Sequence, residues 1–227
     1  MRRWHGTGYC DTIGDMSLTL LLSTANEHKK REMSEICSPH TLLVPSDIGV
    51  SAEYDETGTT FLENALGKAR ALATRIGPDG YREYRIDAVI ADDSGICVDA
   101  LDGGPGVYSA RYGMLSDGTK LDPTEQIRLM LEELHDAEDR RAHYTCCMTA
   151  VCADGRIAVA EERLYGEIAR TPSIGTGGFG YDPIFRLPDR NCCVADISNA
   201  EKHTISHRGR ATRALLAALA TMCRGSA

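Results

Sequence analysis

Two adjacent carboxylates, Asp92 and Asp93, close an apolar run and lead into Ser94-Gly95. Taken alone, such a pair reads in two ways. Both side chains can cap a Ser-Gly turn, a job that aspartate does well. Alternatively, one of them serves as a magnesium ligand or a water-activating base at the carboxyl end of a strand, where α/β sheets place their ligands. Neighbouring strand residues point to opposite faces, so at most one of the two can face a shared cleft unless the strand has ended. The expectation is a strand that ends here, with Asp93 toward a metal and Asp92 supporting the turn.

Four further patches carry groups of complementary chemistry. Asn26 and Lys29 fall in the first turn of a predicted helix, where unpaired N–H groups and the helix dipole favour an anion, and where plain capping is the simpler use. Asn64 and Lys68 lie four apart on a second predicted helix, with Glu56 upstream, a spacing equally suited to a solvated polar face. In Gly175–Pro183 (GTGGFGYDP), glycines let backbone approach a ligand, Phe179 and Tyr181 offer flat faces to a base, and Asp182 offers an acceptor for ring N–H groups. The same string also suits a β-turn or bulge. In Ile205–Gly209 (ISHRG), Ser206 reads as an N-cap, which puts His207 and Arg208 in a first helical turn with Lys202 just upstream. Cations there oppose the dipole and call for a compensating anion or acidic neighbour.

Together the patches supply lysines and arginines for a polyphosphate, carboxylates for a metal and an aromatic glycine loop for a base. That set fits a nucleoside triphosphate better than a sugar or a peptide. The chain lacks G-x-x-x-x-G-K-[ST], so it is not a P-loop protein, and it lacks the D-x-D of haloacid-dehalogenase phosphatases. A net charge of −8 argues against a nucleic-acid polymer as main partner. Nine cysteines, including the vicinal pairs Cys146/Cys147 and Cys192/Cys193, with no C-x-x-C, point to a reduced cytoplasmic protein rather than a disulfide scaffold. No apolar segment approaches the length of a membrane span.

These residues must be placed by alternating strands and helices. Ser17–Ser23 reads as a buried strand, followed by a helix capped near Asn26 and a short strand in TLLVPSD. A helix is predicted from Thr60, with Phe61, Ala65, Leu72 and Ile76 near one face, and then GPDGYREY (77–84) as an exposed loop. IDAVIAD leads into the acidic pair. Asp122-Pro123 opens a helix with Ile127, Met130, Leu131 and Leu134 as its apolar stripe. Residues 142–153 and 156–168, split by Asp154-Gly155, predict a β-hairpin, and a last helix starts near Ser206 with Leu215, Leu216, Leu219 and Met222 inside. The pattern predicts an α/β protein with a mixed sheet. Residues 1–15 read as a loose extension ahead of Met16, and residues 16–227 as one catalytic domain.

In order along the chain, T-A-N-E-H-K (24–29), E-T-G-T-T-F-L-E-N-A-L-G-K-A (56–69), A-D-D-S-G (91–95), G-G-P-G-V-Y-S-A-R-Y (103–112), G-T-G-G-F-G-Y-D-P-I-F (175–185) and E-K-H-T-I-S-H-R-G (201–209) resemble the inosine/xanthosine triphosphate pyrophosphatase family. The resemblance implies an elongated two-lobed fold with a long mixed sheet, flanking helices and a central nucleotide cleft, usually in a homodimer. It implies Mg²⁺-dependent hydrolysis of ITP, dITP or XTP to the monophosphate and pyrophosphate. By position, Asp93 would be the general base and a metal ligand, with Glu56 helping the metal. Thr24, Ala25, Asn26, Glu27, His28, Lys29, Lys68 and Ser94 would hold the phosphates and their surroundings. Phe179, Gly180, Tyr181, Asp182, Lys202, His207 and Arg208 would hold the base and its neighbours. Ala25 stands where the family often has Gly or Ser, and Tyr165-Gly166 where it often has Trp. Two rivals remain: the septum-inhibitor-type pyrophosphatases acting on dTTP or modified pyrimidines, and a nucleotide-binding module without turnover. The first prefers Ser-x-Ser-x-Arg-Arg where this chain has STANEHK, and the Glu56/Asp93 pair speaks against the second. The Gly-Gly-Pro-Gly loop and Arg111 read as structural, shaping the cleft wall or a dimer contact.

Overall fold

The computed structural model describes residues 17–224, so the extension expected over residues 1–15 lies outside the described residues. The elements run β1 (Thr19–Leu22), α1 (Glu27–Ile36), β2 (Thr41–Leu43), α2 (Phe61–Glu83), β3 (Ala88–Val98), α3 (Pro123–Glu133), β4 (Arg141–Cys152) and β5 (Ile157–Ile168). After these come β6 (Phe185–Leu187), β7 (Cys192–Cys193), α4 (Asn199–Ile205) and α5 (His207–Arg224). They build a seven-stranded mixed sheet in the order β2-β1-β3-β4-β5-β6-β7, as the alternating pattern predicts. β2, β1 and β3 are parallel, and every pairing from β3 to β7 is antiparallel.

Apolar side chains sort to the two sheet faces by strand alternation. On one face Leu20, Leu22, Ala88, Ile90, Met148 and Ala150 pack under Met33 of α1 and Ala211, Leu215 and Leu219 of α5. On the other, Leu21, Val89, Ala91 and Val151 pack under Ala69 and Leu72 of α2. A third core lies at the far ends of the long strands, where Ile96, Val98, Ala142 and Tyr144 meet Ile127 and Met130 of α3, Leu134 at its C-cap and Phe185 of β6. β3, with 11 residues and a length of roughly 35 Å, therefore joins two apolar regions. Its polar centre, Asp92 to Gly95, is the waist between them.

Three local expectations change. The strand does not end at the acidic pair: β3 pairs with β4 without interruption, Asp92 opposite Met148 and Asp93 opposite Cys147. β4 offers a full ladder of backbone partners, and ion pairs described below compensate both carboxylates, so nothing forces a turn. Nor is 77–84 an exposed loop. Gly77 breaks α2 with φ 60°, Pro78 restarts it, and Tyr81 is buried with its hydroxyl donating to Val151 O at 2.8 Å. Finally, a separate helix, α4, precedes α5, and the Ser206 hydroxyl accepts Gly209 N–H at 3.0 Å as the cap between them.

The hairpin forms as predicted, with Asp154-Gly155 at its tip and Gly155 at φ 84°. Asn26 caps α1, its Oδ1 accepting from His28 N and Lys29 N. The vicinal cysteines of β4 point to opposite faces, both buried free thiols. Among the described residues no helix is long and apolar enough to cross a membrane.

The Gly103–Gly106 loop continues as a 3₁₀ turn over Gly106–Arg111, packed directly on β3. A Cβ at Gly95 would strike Gly106 O and approach Ser109 Oγ to 2.5 Å. Gly95→Ala is expected to cost roughly 1–3 kcal/mol by overpacking, read as a lower urea midpoint; an unchanged midpoint would contradict this packing.

Candidate active site

Because β3 continues through the waist, Asp92 and Asp93 face opposite sides of the sheet and meet different partners. Asp92 points toward α1 and α5, where Lys29 Nζ lies 2.9 Å and Arg208 Nη2 3.4 Å from its Oδ2. Ser94, two residues on and hence on the same face, donates its hydroxyl to Asp92 at 3.2 Å and accepts from Arg208 at 2.7 Å. Burial alone would raise the Asp92 pKa, but Lys29, then Arg208 and Lys68, outweigh it and hold the carboxyl well below the ordinary range. Asp92 thus caps no turn; it is the buried countercharge of two cations.

Asp93 points toward α2. Its Oδ2 accepts from Asn64 Nδ2 at 3.1 Å, and its Oδ1 lies 3.7 Å from Lys68 Nζ. The Asn64 amide is itself oriented by Gly58 N–H on its Oδ1 at 2.9 Å. Lys68 Nζ is closest to Glu56 Oε1, at 2.8 Å, and Arg111 approaches the same glutamate with Nη1 at 4.0 Å. Arg111 therefore stands at the acidic centre itself. Burial raises the Asp93 pKa, against the opposing pull of Lys68 and Lys29. Burial disfavours the Lys68 ammonium, yet Asp92, Asp93 and Glu56 together keep its pKa above the usual value. Glu56 moves the other way from Asp93: burial is outweighed by Lys68, and its carboxyl is lowered.

Glu56 and Asp93 converge on one cation, the Lys68 ammonium. Two hard oxygen donors of this kind suit Mg²⁺, which keeps waters and substrate phosphates on its remaining positions. Among the described residues no group of three or more His, Cys, Asp or Glu side chains gathers as a self-sufficient metal cage.

At the start of α1, Thr24 Oγ1 accepts Asn26 N–H at 3.1 Å. Thr24, Ala25, Asn26, Glu27 and Lys30 line a cavity of about 260 Å³ together with Pro45, Ser46 and Ala52. His28 leaves this loop to stack on Phe179, with ring centroids 5.3 Å apart at 20°. The glycine loop and the first turn of α1 are therefore one surface, with Lys202 Nζ 4.8 Å and the Arg208 guanidinium 5.6 Å from the Phe179 ring centre.

Beyond Phe179 the glycine-loop residues serve one another. Gly178 and Gly180 adopt φ 71° and 61°, turning the chain so that Asp182 Oδ2 accepts Phe179 N–H at 2.8 Å and Lys202 Nζ at 2.8 Å. Tyr144 OH donates to Asp182 Oδ1 at 3.2 Å. The Asp182 carboxylate, expected to receive a base, is filled by its own neighbourhood. Tyr181, expected to stack, is buried with its hydroxyl on Ser109 O at 2.9 Å. His207 is buried against the Tyr144 ring, and burial, then Arg208 and Lys202, holds its pKa well below the usual value, so the ring is neutral. Arg208 gives Nη1 to Glu32 at 2.6 Å besides its bonds to Asp92 and Ser94.

Glu32 and Tyr144 escape the sequence reading. Glu32 bridges Lys202 and Arg208, each at 2.6 Å, and so supplies the acidic neighbour that cations in a first helical turn require. Its position one turn after Lys29 is the signal that could have found it. Nothing local marks Tyr144, which β4 delivers from within a buried strand.

The result is a chain of alternating charge, Lys29–Asp92–Arg208–Glu32–Lys202–Asp182, that runs from the waist of β3 to the glycine loop. Asp92→Asn leaves two buried cations undercompensated and is expected to cost roughly 3–5 kcal/mol at pH 7. Because the folded pKa is depressed, the stability is present above the unfolded value of 3.8 and drains away as pH falls below it. Urea unfolding should therefore show a gap between wild type and variant that narrows from pH 7 to pH 3; a gap constant with pH would contradict the assignment.

Comparison with known proteins identifies the family. The Ham1 family matches residues 20–218. A Treponema denticola protein named dITP/XTP pyrophosphatase is 41% identical over 196 residues, covering 86% of this chain and 94% of that protein. One of the same name from Bacillus licheniformis is 40% identical over 88% of this chain and 97% of its own length. The solved Ham1 protein of Staphylococcus aureus superposes with a TM-score of 0.75 at 33% identity, covering 90% of this chain and 99% of that one. A HAM1 protein from Coxiella burnetii gives the same TM-score at 34% identity over 90% of this chain and 99% of its own. The chain belongs to the Ham1 family.

Proposed function

We propose that this protein hydrolyses purine nucleoside triphosphates carrying a 6-oxo base (ITP, dITP and XTP) to the monophosphate and pyrophosphate. The observation that carries the reading is that one cation, Lys29, joins two groups of side chains. It pairs with Asp92 at 2.9 Å and also acts on Glu56 and Asp93 beside Lys68, while Lys202 and Arg208 stand over the Phe179 ring nearby. The names of the relatives support the choice of substrate.

In this reading Lys29 and Lys68 receive the triphosphate, whose charge competes with their present partners Asp92 and Glu56. Asn26 keeps the first turn of α1 ordered, its Oδ1 taking the His28 and Lys29 N–H groups, while the dipole of that turn favours the phosphate charge. Asn64 fixes one oxygen of Asp93, leaving the other to take a proton from the attacking water. Attack at the α-phosphorus expels pyrophosphate, and the ammonium groups stabilise the charge that develops on it. A divalent ion held by Glu56 and Asp93, Mg²⁺ in this proposal, supplies neutralisation of phosphate charge when bound.

At the other end Phe179 offers a stacking face, and cationic donors suit a purine oxygen at position 6. The amino group of adenine would face donors instead, a mismatch of about 1–3 kcal/mol, or roughly 5- to 150-fold. The proposal extends to residues 16–227 as one catalytic domain, to a homodimer and to a cytoplasmic location. The family resemblance supports the homodimer, the cysteine usage supports the cytoplasmic location, and the net charge of −8 speaks against a nucleic-acid polymer as partner.

Pyrophosphate release from ITP, XTP, GTP, ATP and dTTP with Mg²⁺ is the direct test. Faster turnover of ITP and XTP is expected; equal rates on ATP would defeat the specificity, preference for dTTP would favour a pyrimidine enzyme, and no turnover would leave a binding module. Asp93→Asn should lower kcat roughly 10²–10⁴-fold while leaving IMP binding measurable. An active Asp93→Asn enzyme would remove Asp93 as the base.

A further inference from the structure

Tyr144 is the fourth of the 12 residues of β4, opposite Ile96 of β3 and Leu164 of β5, on the sheet face that also carries Asp92 and Ser94. Its side chain is buried, and its ring packs between two others. The Phe185 ring centre lies 4.4 Å away at 31°, and the His207 ring is stacked 4.7 Å away at 14°. A phenylalanine would fill the same volume against both. A buried hydroxyl costs stability unless it is bonded, so its presence calls for a partner that needs it. That partner is Asp182, whose Oδ1 lies 3.2 Å from the Tyr144 hydroxyl.

Asp182 receives three donors: the Tyr144 hydroxyl on Oδ1, and Phe179 N–H and Lys202 Nζ on Oδ2. Phe179 belongs to the glycine loop and Lys202 to the seven-residue α4. Tyr144 alone among the three stands on a long strand paired on both sides. Backbone bonds with Ala195 and the Tyr181 hydroxyl on Ser109 O hold the loop itself, while the phenol ties the Asp182 side chain to the long strands of the sheet. Through Asp182 it sets the backbone of Phe179 and the Lys202 ammonium 4.8 Å from that ring, and through its own ring it sets the plane of His207. Burial first, and then the Asp182 charge, push the phenol pKa far above its usual value, so the hydroxyl remains a donor across the working pH range.

We propose that Tyr144 is a positioning residue for base recognition, holding Asp182 and His207 in place so that Phe179 and Lys202 meet the purine in a prearranged geometry. This rests on the purine nucleotide reading above. Tyr144 touches no part of the reacting triphosphate end, so its loss should weaken binding of the base and spare the chemical step. Tyr144→Phe removes one oxygen and keeps both ring contacts, which separates positioning from packing.

In the full-length protein, Tyr144→Phe is expected to raise KM for ITP and the dissociation constant for IMP together, each roughly five- to tenfold, with kcat changed less than about twofold. In an Asp182→Asn background the same substitution should add nothing to either quantity, because the group it acts through is already altered. A variant that melts at lower temperature but keeps the wild-type KM and IMP affinity would overturn the proposal and leave Tyr144 a structural residue. Equal, additive losses in the two backgrounds would overturn it too, by removing Asp182 from the path. If wild-type protein neither hydrolyses ITP nor binds IMP, the purine reading fails and this inference falls with it; an active wild type beside an unaffected Tyr144→Phe sinks the inference alone.

Discussion

The buried Asp92 carboxylate organises the rest of the site. It lies in the one stretch of β3 that no apolar core claims, and it holds Lys29 from α1 and Arg208 from α5 against the same strand. An ion cluster of this kind gains little over a well-packed apolar one, but it is costly to disrupt once built, because any lost partner leaves an uncompensated charge. Asp92 therefore does for the waist what Leu20 and Ile90 do for the neighbouring core. It fixes the relative placement of helices that are distant in sequence, and it does so with groups that a polyphosphate can also address.

Strand alternation divides labour between the two aspartates. A single step along β3 turns Asp92 to the α1/α5 face and Asp93 to the α2 face. One becomes a structural anion paired through Oδ2 with two cations, and the other a carboxyl whose pKa burial has raised. The two adjacent residues thus end with opposite shifts, because Asp92 has the closer cations. Lys68 spends its nearest contact on Glu56 and reaches Asp93 only at 3.7 Å.

Much of the fold was legible in the sequence, and the reasons are local. The Asp154-Gly155 hairpin, the Asn26 cap and the α3 stripe with Ile127, Met130 and Leu134 all rest on interactions within a few residues. The errors share the opposite cause. Asp92-Asp93-Ser-Gly looked like the end of a strand because two charges are expensive in a sheet, and the charges that compensate them, Lys68, Lys29 and Arg208, lie 25 and 63 residues upstream and 116 downstream. Residues 77–84 looked like a loop because glycine and proline flank them, whereas Tyr81 finds a buried acceptor on β4 that no window of sequence contains.

By itself the sequence determined which chemical groups were available: two carboxylates for a metal, lysines for a polyphosphate and an aromatic glycine loop for a base, on elements whose type follows from periodicity. Tertiary structure decided how those groups are spent. Asp182 and Tyr181, read as hands held out to a base, are occupied by Lys202, Phe179, Tyr144 and Ser109; Arg208 is bound to Glu32 and Asp92; and Arg111, read as structural, stands beside Glu56. Whether a polar side chain is free or satisfied depends on partners brought within about 3 Å by packing. That distance is set by the sheet register and the helices laid upon it, not by the order of residues along the chain.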